Sequence, residues 1–135
     1  MNMRQLLPSF AVVLGLLFVA PVYSAFAALD WPAYTPEAFA TAQAEGRTIA
    51  VIVHADWCTT CRAQEPALKG VVLLPEYKDY VLFRVDYDTQ KDVMAELGVP
   101  QRSTILIFKG KEEVGRVFAD NQFDVIHALF SFGLD

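Results

Sequence analysis

Apolar positions recur along this chain with two different periods, and the period changes from segment to segment. Residues 48–55 are almost continuously apolar and β-branched, which is typical of a strand buried on both faces. Residues 123–132 place apolar side chains at helical spacing and predict an amphipathic helix. The whole pattern predicts helices over 37–45, 58–73, 90–97 and 123–132, and strands over 48–55, 80–87, 104–108 and 113–118.

Several of these elements carry signals at their ends. Thr35 offers a hydroxyl that suits a helix N-cap, and Pro36 suits the first helical position. Thr89 is expected to cap the third helix, while Pro66 falls inside the second and is expected to kink it. Lys109-Gly110-Lys111 predicts a hairpin turn between the last two strands.

The order of the elements predicts the fold class. Parallel βαβ units come first, an antiparallel hairpin follows, and a helix closes the chain. A sheet of this mixed kind needs helices on both faces to cover its apolar side chains. We therefore expect an α/β domain with a central mixed β-sheet flanked by helices on both faces.

The first 27 residues differ in composition from the rest. Arg4 precedes an almost uncharged apolar run over 6–20, and Ala25-Phe26-Ala27 follows. This order is the signature of a secretory signal peptide, with cleavage expected after Ala27 or, as a second choice, after Ser24. The alternative is an uncleaved membrane anchor, but the run is shorter than the roughly 20 residues that a spanning helix needs. We expect a signal peptide over 1–27, one domain over 28–135, and a periplasmic or otherwise exported protein.

Charge excludes one class of partner. The 135 residues contain 11 Lys and Arg against 16 Asp and Glu, for a formal net charge of −5. An acidic chain without a cluster of Lys and Arg has no electrostatic footprint for nucleic acid. The expected partner is another protein or a small thiol.

The two cysteines, Cys58 and Cys61, are separated by two residues. A disulfide that closes so short a loop constrains the unfolded chain little, so the spacing favours redox or metal chemistry over a structural staple. Both lie where a buried strand passes into a helix, and free N–H groups there stabilise a thiolate. We expect Cys58 to be the nucleophile and Cys61 the resolving thiol. Thr59 and Thr60 are expected to cap the helix and are candidates to lower the pKa of Cys58.

Around these cysteines the chain resembles the thioredoxin family over nearly all of its mature length. The family's Trp-Cys-x-x-Cys motif is present as Trp57-Cys58-Thr59-Thr60-Cys61, and Pro66 falls where the family kinks its active-site helix. Residues 84–88 resemble the family's central strand, and residues 97–99 and 104–110 resemble the segment leading into its hairpin. The resemblance implies a thioredoxin-like fold and a thiol–disulfide oxidoreductase with no cofactor beyond its redox-active disulfide. We expect Trp57 to pack beside the dithiol and shape a substrate surface, the alternative being ordinary partial burial.

One departure from the family lies opposite the dithiol. Ser103 stands where the family has a cis-proline, and Pro100 lies three residues earlier. A cis bond before a residue other than proline costs roughly 2.5–4 kcal/mol, so we expect a trans bond, or a cis bond held by unusual local constraint. The serine N–H and hydroxyl are both expected to hydrogen-bond a thiolate or a substrate backbone. Arg102 is either a solvated loop charge or a groove residue that helps to hold Cys58 as a thiolate.

A second departure is Ile52, where thioredoxins generally bury an acid that helps proton transfer to the resolving cysteine. Asp56, Arg84 and His54 are the candidates to replace it, together with water or a hydroxyl. His54 is either a histidine at the edge of the core, a group that tunes Cys58, or a third metal ligand. Asp86, Asp88 and Asp92 suggest a cation site, but an acidic strand end beside a helix cap also explains them.

Three functions follow from these residues. The first is an exported oxidoreductase in which Cys58 attacks a protein or small-molecule disulfide and Cys61 releases the product. Reduction is favoured over oxidation, and a membrane or soluble redox partner recycles the dithiol. The second is a zinc or iron–sulfur module in which His54 or a second protomer completes the ligands around Cys58 and Cys61. The third is a non-catalytic adaptor or chaperone that has kept the fold.

Overall fold

A four-stranded mixed sheet forms the centre of residues 31–135, the part of the chain that our computed structural model describes. The predicted signal segment and both expected cleavage sites lie outside the described residues. The strands are β1 (Thr48–His54), β2 (Val81–Asp86), β3 (Thr104–Lys109) and β4 (Glu112–Phe118), in the spatial order β2-β1-β3-β4. The inner strand β1 pairs in parallel with β2 and antiparallel with β3, and β4 pairs antiparallel with β3.

Helices cover both faces of this sheet, as the element order predicts. They are α1 (Pro36–Ala44), α2 (Thr59–Val72), α3 (Lys91–Glu96) and α4 (Phe123–Ser131). A short 3₁₀ turn over Pro75–Tyr77 was not predicted. The α/β class and the mixed sheet are confirmed. No helix within residues 31–135 is both long and apolar enough to span a bilayer.

The buried strand β1 divides the core into two layers. Ile49, Val51 and Val53 pack with side chains of α1 and α3, whereas Ala50 and Ile52 pack with α2 and α4. This alternation follows from the period of two in a strand, and it explains why the run is apolar on both faces. Burying each Val or Ile side chain stabilises the fold by about 1.5–3 kcal/mol. The carboxyl end of β1 is therefore a rigid support for whatever follows it.

The predicted ends of the helices are partly right. Thr35 caps α1 by accepting a hydrogen bond from the Ala38 N–H at 3.2 Å, and Gly110 has a positive φ in the hairpin. The expectation that Thr89 caps α3 is wrong, because the cap position is Gln90. The Thr89 N–H donates to Asp86 Oδ1 at 2.8 Å, which places Thr89 in the turn that leaves β2.

Candidate active site

The dithiol lies at the junction of β1 and α2, where both cysteines are buried and joined as a disulfide. Their Cα atoms are 5.3 Å apart. Cys58 is itself the N-cap of α2, and its Sγ accepts a hydrogen bond from the Cys61 N–H at 3.0 Å. Free N–H groups in the first turn of a helix stabilise a thiolate. The geometry therefore favours a thiolate at Cys58 once the disulfide is reduced.

The two threonines between the cysteines do not have the expected capping role. Helix α2 begins at Thr59, so Thr59 and Thr60 already occupy its first helical positions and the cap falls on Cys58. A capping side chain must belong to the non-helical residue that precedes the first turn. Among the hydrogen bonds of residues 31–135, the backbone donor to Cys58 Sγ is the Cys61 N–H.

Ser103 places its hydroxyl against both sulfur atoms. Its Oγ lies 3.3 Å from Cys58 Sγ and 3.0 Å from Cys61 Sγ. No cis peptide bond occurs within residues 31–135, so the bond before Ser103 is trans as expected. The expectation that the Ser103 N–H faces a thiolate or a substrate is wrong, because it donates to the Val53 carbonyl of β1 at 2.8 Å. The hydroxyl is thus the group that serine presents to the dithiol.

The backbone of Ser103 is held in an uncommon conformation. Its φ is 60°, in the left-handed region that residues other than glycine seldom adopt. Three hydrogen bonds hold it there: the N–H bond to Val53, a bond from the Ala119 N–H to the Ser103 carbonyl at 2.9 Å, and one from Gln64. Such strain persists where the surrounding structure over-determines the residue, and it is common at active sites.

Gln64 is a site residue that sequence reasoning missed. It is fully buried on α2, three residues after Cys61, and therefore lies on the same face of the helix. Its Nε2 donates to the Ser103 carbonyl at 3.4 Å and to the Asp120 carbonyl at 2.8 Å. The sequence signal for this role was a polar amide at a position on the buried face of α2. Gln64 ties the Ser103 loop to the helix that carries the cysteines.

An aromatic and cationic rim surrounds the buried sulfurs. Trp57 is 54% exposed, and its Nε1 donates to Asp88 Oδ2 at 2.8 Å. The Arg102 guanidinium lies 4.8 Å from the centroid of the Trp57 ring and 5.9 Å from that of Tyr87. These distances are within the range of cation–π attraction. The alternative that Arg102 is a solvated loop charge is wrong, since it is half-buried on the indole.

A charged cluster lies beside the dithiol without hydrogen-bonding to it. Arg84 Nη2 donates to Asp56 Oδ1 at 2.7 Å, and His54 Nε2 lies 3.5 Å from the same oxygen. Burial lowers the pKa of His54, and the positive charge of Arg84 lowers it further. Among the hydrogen bonds of residues 31–135, none joins these three side chains to either sulfur. Ile52 is buried in the apolar layer beneath α2 and α4.

Metal ligation by this chain's own side chains finds no support in the geometry. Within residues 31–135, no three His, Cys, Asp or Glu side chains converge as metal ligands do. His54 is therefore not a third ligand beside Cys58 and Cys61, because its imidazole faces Asp56.

The carboxylates of Asp86, at the end of β2, and of Asp88 both accept hydrogen bonds from the protein. Asp86 Oδ1 accepts bonds from the Asp88 and Thr89 N–H groups at 2.9 and 2.8 Å, and the bonds from Thr89 hold the pKa of Asp86 below its ordinary value. Asp88 orients Trp57 through its own carboxylate. These contacts give both carboxylates a structural role at the end of β2.

Comparison with known proteins points to one family. The family model described as Thioredoxin matches residues 32–131. Thioredoxin Asp f 29 of Aspergillus fumigatus is 32% identical over 73 residues, which are 54% of this chain and 66% of that protein. A thioredoxin H-type of Fagopyrum esculentum is 29% identical over 93 residues, which are 69% of this chain and 78% of that protein.

A solved structure extends this similarity to three dimensions. Trxlp from Edwardsiella tarda superposes with a TM-score of 0.71 at 32% identity, covering 73% of this chain and 96% of that one. The range matched by the family model contains every residue of the site described above.

Proposed function

This chain belongs to the thioredoxin family, which makes it a thiol–disulfide oxidoreductase, and we propose that its dithiol reduces protein disulfides in an exported compartment. The observation that carries the proposal is the Cys58–Cys61 pair at a helix N-terminus, with the Cys61 N–H 3.0 Å from Cys58 Sγ. Cys58 attacks the substrate disulfide and forms a mixed disulfide. Cys61 then attacks Cys58, releases the substrate thiol, and leaves the internal disulfide.

The surroundings of the sulfurs support the reducing direction. A dithiol becomes a strong oxidant when its thiolate is strongly stabilised, above all by nearby positive charge. Within residues 31–135 the hydrogen-bonding partners of the two sulfurs are a backbone N–H and the Ser103 hydroxyl, which are both neutral. Hydrogen bonds with an ionised donor are roughly twice as strong as neutral ones. Arg102 stacks on Trp57 and is not among these hydrogen-bond partners, so the hydrogen bonds to the sulfurs give the reduced form only modest stabilisation.

Export rests on the sequence of residues 1–27, with its positive start, apolar segment and Ala-x-Ala site. In an oxidising compartment a reductant has to be recharged, so this proposal includes a membrane or soluble electron donor that recycles the pair. Full-length protein expressed in a bacterial host and recovered from the periplasm should have the intact mass of residues 28–135. A periplasmic product cleaved at neither Ala27 nor Ser24 would contradict this part of the proposal.

Reduction of insulin disulfides tests the activity. Dithiothreitol supplies the electrons, and wild type should accelerate insulin precipitation well above the reductant alone. Cys58→Ser should show only the rate of the reductant, because the attacking thiolate is gone. Ser131→Ala is the matched control, since the Ser131 hydroxyl bonds to the Ala128 carbonyl within α4. Equal activity in wild type and Cys58→Ser would overturn the proposal.

The redox potential of the Cys58–Cys61 pair tests the direction separately. A reductant of this family lies at about −270 mV, whereas strong exported oxidants lie at about −120 mV. Equilibration with glutathione buffers, read by mass after alkylation, should place this pair near the lower value. A potential near the upper value would reverse the direction and leave the disulfide exchange itself intact.

A further inference from the structure

Release of the reduced product requires a proton transfer at this site. In the mixed disulfide, Cys61 must lose its thiol proton to attack Cys58, and the departing substrate thiolate must gain one. Ile52 is buried and has a hydrocarbon side chain, which carries no group that can accept or donate a proton. The Asp56 carboxylate accepts a hydrogen bond from Arg84 and lies 3.5 Å from His54 Nε2, and within residues 31–135 no hydrogen bond joins it to either sulfur.

The Ser103 hydroxyl is the group that touches both sulfurs. Its Oγ lies 3.0 Å from Cys61 Sγ and 3.3 Å from Cys58 Sγ, and the residue is only 1% exposed. A hydroxyl can donate one hydrogen bond and accept two others at the same time. It can therefore accept a proton on one side while it donates its own on the other, and remain neutral throughout.

Three hydrogen bonds hold the backbone of Ser103 beside the sulfurs. The Ser103 N–H donates to the Val53 carbonyl, and the Ser103 carbonyl accepts from Ala119 and Gln64. None of these three bonds involves a sulfur atom, so the backbone of Ser103 is positioned independently of the disulfide. Preorganised groups of this kind act without reorganisation cost at the moment of reaction.

We propose that Ser103 is a catalytic residue that relays the proton from Cys61 to the departing substrate thiol during release of the product. The Cys61 sulfur forms a bond to Cys58 Sγ, and the bond between Cys58 Sγ and the substrate sulfur breaks. The proton of Cys61 passes to Ser103 Oγ, and the hydroxyl proton of Ser103 passes to the substrate sulfur. The products are the Cys58–Cys61 disulfide, the substrate thiol and an unchanged serine. This inference rests on the proposed reduction of disulfides by Cys58.

Rapid quench-flow reaction of the reduced protein with excess bis(2-hydroxyethyl) disulfide tests the relay. Attack by Cys58 and release by Cys61 are followed separately by acid quench and mass spectrometry, since only the mixed disulfide carries the added mass. Ser103→Ala should leave the attack step within about twofold and slow the release step by about tenfold or more at pH 7, in keeping with the loss of proton-transfer catalysis. The ratio of the wild-type release rate to the variant release rate should decrease as the pH is raised to about 10, because hydroxide then competes with the serine as the acceptor of the thiol proton.

A second disulfide probes the other half of the relay. With 5,5′-dithiobis(2-nitrobenzoic acid), the leaving thiolate is a weak base that departs without a proton. The Ser103→Ala defect should therefore be smaller with this aromatic disulfide than with the alkyl one. An unaltered release rate in Ser103→Ala, or a defect that is equal at all pH values and with both disulfides, would overturn the relay.

Two further variants keep the test decisive. Ser103→Gly also lacks the hydroxyl but adopts a φ of 60° without strain, so it should reproduce the pH-dependent defect even where alanine impairs folding. Ser131→Ala should match wild type in both steps. Failure of the proposed function looks different, because wild type itself would then form no mixed disulfide at Cys58.

Discussion

Two polar clusters lie side by side at the carboxyl end of β1, and they differ in charge, burial and contact with the sulfurs. The neutral cluster, Gln64 and Ser103, is buried and reaches the dithiol. The charged cluster, His54, Asp56 and Arg84, includes a carboxylate whose side chain is 94% exposed, and it forms no hydrogen bond to either sulfur. Neutral donors can be buried at small cost when they are hydrogen-bonded, whereas charges cannot. The groups that hydrogen-bond to the sulfurs within residues 31–135 are thus neutral, whereas the ion pair of Arg84 and Asp56 lies toward the surface.

Removing the buried amide of Gln64 should have the largest effect on the neutral cluster. Gln64→Leu keeps the approximate volume but leaves the Asp120 carbonyl without the donor that lies 2.8 Å from it. Loss of the hydrogen bond to this part-buried carbonyl should lower the free energy of unfolding by about 1 kcal/mol. Urea unfolding of the oxidised protein measures this loss.

The matched control for that substitution is Gln122→Leu. Gln122 is exposed and forms no capping hydrogen bond through its side chain, so the free energy of unfolding should change by no more than about 0.5 kcal/mol. An equal decrease in the free energy of unfolding in the two leucine variants would show that Gln64 contributes no more to stability than an exposed glutamine does.

A smaller effect should come from the buried imidazole of the charged cluster. Burial lowers the pKa of His54 below its ordinary value of 6.5. The unfolded chain therefore takes up this proton first as the pH falls. The free energy of unfolding should be highest above pH 6.5 and should decrease as the pH drops from there toward the pKa of the folded state.

Urea unfolding at several pH values between about 8 and 5 tests this sign, with His54→Gln as the variant that should flatten the slope. The lowered pKa of Asp86 gives a separate loss, which begins only as the pH approaches the ordinary carboxyl value of 3.8. A slope in His54→Gln identical to that of wild type would assign the pH dependence to another group.

The smallest effect should follow from breaking the exposed ion pair. Asp56→Asn removes the charge that Arg84 contacts at 2.7 Å, and exposed pairs contribute less than about 1 kcal/mol. Insulin reduction should stay within about twofold of wild type. The pKa of His54 should fall further, because Asp56 raises it by charge and by hydrogen bonding, and an NMR titration of the imidazole measures that change.

Asp124→Asn, an exposed acid on α4, is the control for that experiment. It should leave the pKa of His54 unchanged. A large loss of activity in Asp56→Asn, with none in Asp124→Asn, would show that the charged cluster, and not the neutral one, determines the reactivity of the dithiol.

Most of the fold could be predicted because local signals agree with the tertiary structure. The apolar run of β1, the Thr35 cap and the Gly110 hairpin each have a cause within a few residues in the sequence. The cap of α3 could not be predicted in this way. The Asp86 carboxylate holds the Thr89 N–H in a turn, so the helix starts one residue later than its threonine suggests.

The chain by itself determined where sulfur chemistry takes place. Two cysteines at the end of a buried strand, followed by a helix, place a reactive thiol at free backbone N–H groups, and that relation spans only a few residues. The tertiary structure alone decided which groups face the sulfurs. Ser103 is 42 residues from Cys61. Because β3 runs antiparallel beside β1, the Ser103 N–H donates to the Val53 carbonyl while the Ser103 hydroxyl contacts the sulfurs. Gln64 gains its role from two carbonyls on distant loops, and no local pattern records such contacts.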